Sequence, residues 1–282
     1  MTTLTHLCAV GDSFVYGDEL IETYYYEEFC IPKNENWAGP FYSEGSRYAH
    51  YITLLDKLRF TKLVADEFKL LHLNYSARGA SIEGIKLQTY LLVNMLKRKN
   101  IDLGSTLWLV GLTLPSRKLF LNDPSDNIDY TNIDIEQVWS GFTSQTLFTE
   151  RDSGPTNFSA NLIKELTVAT SPTMKYVSWL MHVLDIIHLL KSAGVKQIHL
   201  LNVFESNFET FDNLDKLSSL KLLKKLSQEI ESILPSKSTS LGAAAALNKT
   251  DLCVKGHYNQ SGHLKVAKYI THHLKDIIND KE

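Results

Sequence analysis

At 282 residues, 44% hydrophobic and 22% charged, the chain carries ample apolar material for a core, and one large domain with insertions is expected. A formal net charge of −3 leaves no basic excess for a nucleic-acid backbone. Cys8, Cys30 and Cys253 are far apart and form no CxxC, which argues against a disulfide framework or zinc site and for free thiols.

In chain order, the first predicted element is a buried strand, Leu4 to Val10. Its leading "MTTLTHLCAV" has neither the basic start nor the apolar run of a signal peptide. With no run near the ~20 apolar residues of a membrane span, a cytoplasmic protein without a membrane partner is expected, one still able to join a larger particle. An aromatic, acidic stretch follows from Tyr16 to Gly45, too long for an ordinary connection. "RYAHYITLLDKLRFTKLVADEF" then has helical spacing, and Leu70 to Ser76 reads as a second strand. "SIEGIKLQTYLLVNMLKRK" is a helix with Ser81 as N-cap and a basic end. Thr106 to Leu112 is a third strand, followed by a polar insertion from Phe120 to Pro172. "TMKYVSWLMHVLDIIHLLKSAG" is a helix stopped by Gly194. Val195 to Phe204 is the fourth strand. "KLSSLKLLKKLSQEIESIL" is an amphipathic helix expected to pack on the sheet, and "GAAAAL" reads as a hinge or short helix. The last helix places Leu264, Ala267, Ile270 and Leu274 on one face. Short apolar strands alternating with helices predict an α/β chain with a mostly parallel sheet.

Within "AVGDSFVYGDEL", Ala9 to Leu20, the first strand breaks on Gly-Asp-Ser. Residues just past the C-terminal end of a parallel strand line the ligand crevice of an open α/β sheet, which is where Ser13 falls. Gly11 permits a tight turn, although the second glycine of a G-x-S-x-G elbow is missing. Taken alone, Gly-Asp-Ser reads as an Asp/Ser turn. A serine nucleophile needs a base, which need not be near in sequence. At the far end, "KGHYNQSGHLKVAKYI" puts His257 on a loop before a helix that Asn259 or Ser261 could cap, while His263 falls in the first turn and packs.

Three blocks, "GDSF", "NYSARGAS" and "GHYNQSGH", resemble in order and spacing blocks I, II and V of the SGNH (GDSL-type) hydrolases. The resemblance implies a flavodoxin-like three-layer α/β/α sandwich over the whole chain, with the two long insertions uncovered. It implies Ser13 as nucleophile, His257 as general base then acid, and the N–H groups of Ser13 and Gly79 in the oxyanion hole; Asp12 is read as stabilising the turn. Two positions depart from the family pattern. Thr113 stands where the third block normally offers an Asn carboxamide, and losing one such donor costs roughly 10²–10³ in rate. Arg117 is a candidate to compensate electrostatically, or a surface residue. Val254 stands where an Asp normally orients the histidine; Asp251, six residues before His257, could serve only if the loop bulges. Loss of that Asp in other triads costs on the order of 10⁴.

The resemblance implies a serine esterase acting on a small ester, with an O-acetyl group on a carbohydrate as the leading substrate, and the pattern looks like divergent members of phage and bacterial genomes. Tyr16 and the "YYYEEF" aromatics are weak candidates for stacking on sugar rings. One alternative is a decayed protein of the same fold that binds a glycan or serves as a structural, virion-associated subunit. Another is an O-acyltransferase. His182 and His188 lie six apart, off the i, i+4 face that metal ligands share, and "NDPSDNIDYTNID" lacks the pattern of a calcium loop. No metal or organic cofactor is expected.

Overall fold

The computed structural model describes residues 3–17, 20, 53–77, 80–115, 117–121, 142–146, 172–202, 221–235, 239–242, 247–253 and 257–279. Five parallel strands form the central sheet: β1 (His6–Val10), β2 (Leu71–Asn74), β3 (Thr106–Leu112), β6 (Gln197–Asn202) and β7 (Thr239–Gly242). Their order across the sheet is β2-β1-β3-β6-β7. Two further strands, β4 (Arg117–Leu121) and β5 (Phe142–Thr146), pair with each other in antiparallel fashion. The helices are α1 (Ser13–Tyr16), α2 (Phe60–Glu67), α3 (Ile82–Arg98), α4 (Pro172–Ser192), α5 (Lys221–Ile233) and α6 (Gln260–Asn279).

Side chains alternate along each strand, so the sheet has two apolar faces. Cys8, Val10, Trp108, Val110 and Ile198 join the cluster that includes α3, α4 and α5. Leu7, Ala9, Leu107, Leu109 and Leu201 join the opposite cluster with α2 and α6. Both faces are covered, which is why β3 is buried at every residue and reads as a continuous apolar run. The outcome is the three-layer α/β/α sandwich. Because β2 lies on one side of β1 and β3 on the other, the strand order reverses between β1 and β3. In open α/β sheets a ligand crevice forms at that reversal, outside the carboxyl ends of the strands.

The four predicted strands are present; β3 keeps its predicted bounds, and β1, β2 and β6 begin one or two residues later than expected. The sheet's fifth strand, β7, was not predicted; its Gly242 belongs to a strand where a hinge or short helix was expected. Nor does the polar insertion lack structure throughout, since β5 lies inside it. Ser81 caps α3 as expected, accepting from the Gly84 N–H at 3.3 Å. Gly194 has φ +95, a left-handed conformation that L side chains rarely adopt, and its N–H and that of Val195 return to the Lys191 and Leu190 carbonyls. The expected helix before β2 is interrupted at Arg59: 53–58 is helical and α2 begins at Phe60. No helix among the described residues is long and apolar enough to cross a membrane.

Candidate active site

The site is built at the reversal point, where Val10 of β1 is registered with Val110 of β3. The next residues, Gly11 and Gly111, face each other with the Val15 side chain inserted against both. A Cβ on Gly11 would come within 2.4 Å of Val15 Cγ2, and one on Gly111 within 2.2 Å. Only glycine at both positions lets α1 start immediately at the sheet edge. Asp12, wholly buried, accepts from the Phe14 N–H at 3.1 Å through Oδ1 and from the Tyr16 N–H at 2.9 Å through its carbonyl. It therefore stabilises the turn that carries Ser13. Ser13 is the first residue of α1, and its side chain lies outside the described residues.

A side chain that sequence reasoning missed fixes this turn from the other layer. Buried Gln88 of α3 accepts from the Gly11 N–H at 2.8 Å and donates to the Gly11 carbonyl at 3.0 Å. The second block adds a further tie, because the Ala77 N–H also donates to the Gly11 carbonyl, at 3.1 Å. Asn74 donates to the Val15 carbonyl at 3.1 Å and accepts from the Ser76 N–H at 2.9 Å. Gly79 of the same block lies outside the described residues, as do most of the two long insertions.

His257 lies between Cys253 and α6, next to Tyr258. Antiparallel bridging joins Leu252 to Tyr258, and the Cys253 N–H donates to the His257 carbonyl at 2.6 Å. Asn259, rather than Ser261, caps α6 by accepting from the Gly262 N–H at 3.0 Å. The partly buried His257 ring packs on Phe14 with centroids 4.8 Å apart and planes at 47°, and Tyr258 meets the same phenyl ring edge-on at 4.9 Å. Phe14 is the neighbour of Ser13, so the early turn and the late loop are in contact at the crevice.

Asp251 does not take up the orienting role considered for it. One carboxylate oxygen accepts from Ser261 at 2.9 Å. The other accepts from the Asn248 N–H at 2.8 Å and from Lys265 Nζ at 2.7 Å. The hydrogen bond from Lys265, aided by those from Asn248 and Ser261, holds its pKa below the usual carboxylate range despite the opposing effect of burial. Both oxygens tie the loop to α6. Asp251 shapes the loop that carries His257.

His263 packs, as expected, and does more than pack. Its Nδ1 accepts from the Phe60 N–H at 3.1 Å, supplying the N-terminal partner of α2 that Arg59, the N-cap residue, does not. Burial first, then the charges of Arg59 and His257, push its pKa down to about 3. Thr113 follows β3 and is wholly buried, and its carbonyl accepts from Trp179 Nε1 at 2.9 Å. Arg117 begins β4, with its side chain outside the described residues. Tyr16 is half-buried, its ring centroid 5.7 Å from the Arg59 guanidinium.

No protein-family model matches the chain, and no curated protein matches it. Among solved structures it is similar to a putative lipolytic protein of the G-D-S-L family from Desulfitobacterium hafniense, at 8% identity and TM-score 0.44, over 96% of this chain and 99% of that one. A carbohydrate esterase whose active site has divergent catalytic and non-catalytic binding functions matches at 12% identity and TM-score 0.47, over 98% of this chain and 69% of that one. A catalytic mutant of an acetylxylan esterase from Geobacillus stearothermophilus matches at 13% identity and TM-score 0.41, over the full length of both.

Proposed function

We propose that the protein is a divergent SGNH-type serine esterase that cleaves a small ester, with an O-acetyl group on a carbohydrate as the leading substrate. The observation that carries this reading is the contact between Phe14 and His257 at the strand-order reversal, which brings the Ser13 turn and the His257 loop to one crevice.

In the proposed reaction, Ser13 Oγ attacks the ester carbonyl carbon while the His257 imidazole takes the hydroxyl proton. The carbonyl π pair moves to oxygen, and the oxyanion is held by the N–H groups of Ser13 and Gly79, with Thr113 beside them. Collapse breaks the C–O bond, and the alcohol leaves with the proton from His257. Water, deprotonated in turn by His257, then attacks the acyl-serine; the acyl–Oγ bond breaks, Ser13 Oγ takes the proton back from His257, and the acid is freed. The Gln88 clamp supports this reading physically: it fixes the backbone of the residue two before the nucleophile, so positioning is settled before substrate arrives. With Asp251 committed to the loop, the proposed pair is Ser13 and His257, a dyad or an incomplete triad.

Mixing the protein with p-nitrophenyl acetate tests the proposal. A burst of nitrophenolate equivalent to the protein present, with an acetyl mass increment on the Ser13 peptide, is the expected result. Folded protein that releases nitrophenolate no faster than buffer does would overturn it in favour of a binding protein on the same fold.

A further inference from the structure

The two N–H groups proposed for the oxyanion come from separate stretches of chain, that of Ser13 from α1 and that of Gly79 from the segment after β2. They can serve one oxygen only if their separation is fixed before substrate arrives. The backbone supplies part of this. Beyond β2 the pairing with the β1 chain continues, the Tyr75 N–H donating to the Ala9 carbonyl at 2.8 Å and the Ala77 N–H to the Gly11 carbonyl at 3.1 Å. The Ala80 N–H returns to the Ala77 carbonyl at 3.3 Å, so the chain is tied on both sides of Gly79. None of these bonds reaches α1, a single turn of helix with no further turns to keep it in place.

Asn74 makes that connection. It is the last residue of β2, in register with Ala9. Its Nδ2 donates to the Val15 carbonyl in α1 at 3.1 Å and to Thr61 Oγ1 of α2 at 3.3 Å. Its Oδ1 accepts from the Ser76 N–H at 2.9 Å and from the Ser76 hydroxyl. Successive N–H groups of an extended chain point to opposite sides, so those of Tyr75 and Ala77 face β1 and that of Ser76 faces away. There β2, at the end of the strand order, has no further strand to accept it. The carboxamide has one orientation, because flipping it would set NH₂ against the Ser76 N–H and oxygen against the Val15 carbonyl. His72, two residues earlier on β2, bonds the same Thr61 Oγ1 through Nε2 at 2.9 Å. Val15 is thus held twice, its side chain against Gly11 and Gly111 and its carbonyl by Asn74.

We infer that Asn74 is a positioning residue for the proposed oxyanion hole: one carboxamide, donating to α1 and accepting from the segment that leads to Gly79, sets the separation of the two N–H donors. The inference rests on the esterase reading of the same site, and the coupling of the two segments can be measured without turnover.

The test combines p-nitrophenyl acetate kinetics with amide hydrogen exchange read by mass spectrometry, on the wild type, Asn74→Leu, Asn74→Asp and Thr61→Val, well below their unfolding midpoints. Leucine removes both functions of the carboxamide, whereas aspartate keeps the acceptor for Ser76 and loses the donor to Val15. Both are expected to lower kcat by about 10–10² with KM little changed. Exchange should quicken about tenfold or more in segments 11–17 and 75–81 of Asn74→Leu, and in 11–17 alone of Asn74→Asp. Thr61→Val leaves the bridge from Val15 to Ser76 intact, so its kcat should stay within about threefold although its unfolding midpoint falls. Wild-type kcat in Asn74→Leu, or kcat losses that follow the unfolding midpoint across all three variants, overturns the inference and leaves the esterase standing. If the wild type does not turn over the ester, quickened exchange in both segments of Asn74→Leu upholds the coupling and sinks the esterase, whereas unchanged exchange overturns both.

Discussion

Replacing Gln88 by methionine removes one side chain's hold on both polar groups of Gly11 while nearly conserving volume, so little cavity or strain is added. The Gly11 carbonyl keeps the Ala77 N–H as a donor. The Gly11 N–H, paired with Gln88 at 2.8 Å in the native protein, is left buried without an acceptor. An orphaned buried donor costs about 1–3 kcal/mol and the second lost hydrogen bond about 0.5–1.5, so a loss of about 3 kcal/mol is expected. With a urea m-value of about 3 kcal/mol/M, the unfolding midpoint should fall by about 1 M at unchanged m. Because Gly11 precedes the Ser13 turn, ester turnover should fall as well, through kcat more than KM. A Gln88→Met protein within about 0.5 kcal/mol of wild type would refute the reasoning, since surface substitutions already fall in that range.

Stability should fall on acidification below the ordinary histidine range. Burial, with smaller effects from neighbouring charges, lowers His72 and His263 to about 3, and burial lowers His199 to about 4. The unfolded chain therefore binds more protons from about pH 6.5 downward; the contribution is complete above that and lost toward the folded values, at about 2 kcal/mol per group by pH 5. Urea midpoints at pH 7 and pH 5 check this, and equal midpoints contradict it. His199 is wholly buried, with no hydrogen-bond partner for either ring nitrogen among the described residues, so His199→Leu should cost little at pH 7 and reduce the acid loss by about 2 kcal/mol. Gly111→Ala should destabilise by about 1–3 kcal/mol, because its methyl meets Val15 at 2.2 Å, and a calorimetric Tm at the wild-type value would contradict the packing described. Asp251→Asn should lower Tm and slow turnover, because it weakens the ties of the loop to Lys265 and Ser261; a calorimetric Tm at the wild-type value would contradict the loop-anchoring role.

The parallel strands were legible because burial on both faces leaves continuous apolar runs such as "TLWLVGL", and the helices because their caps are local: Ser81 and Gly194 act on residues within their own turns. β7 escaped notice because "TSLG" is short and polar, and its strand character comes from pairing with β6. The two ends of the candidate site could be proposed from sequence because each motif is local, and in the structure Phe14 of the first meets His257 of the last. What holds them could not. Gln88 lies 77 residues from Gly11, and His263 caps a helix 203 residues away, so each contact exists only once the layers are stacked. The interruption at Arg59 has the same origin, since α2 begins where His263 meets the Phe60 N–H. Asp251 could be found by its distance from His257 in the chain, but not the direction of its carboxylate, which Lys265 and Ser261 determine.

Treatment of the intact protein with a serine-directed fluorophosphonate, followed by mass spectrometry, bears most directly on the claim that the N-terminal turn and C-terminal loop form one nucleophilic site. The account expects a single adduct, located on Ser13, absent from Ser13→Ala and strongly reduced in a folded His257→Ala protein. No adduct on the native protein, or labelling that ignores the loss of His257, would contradict it.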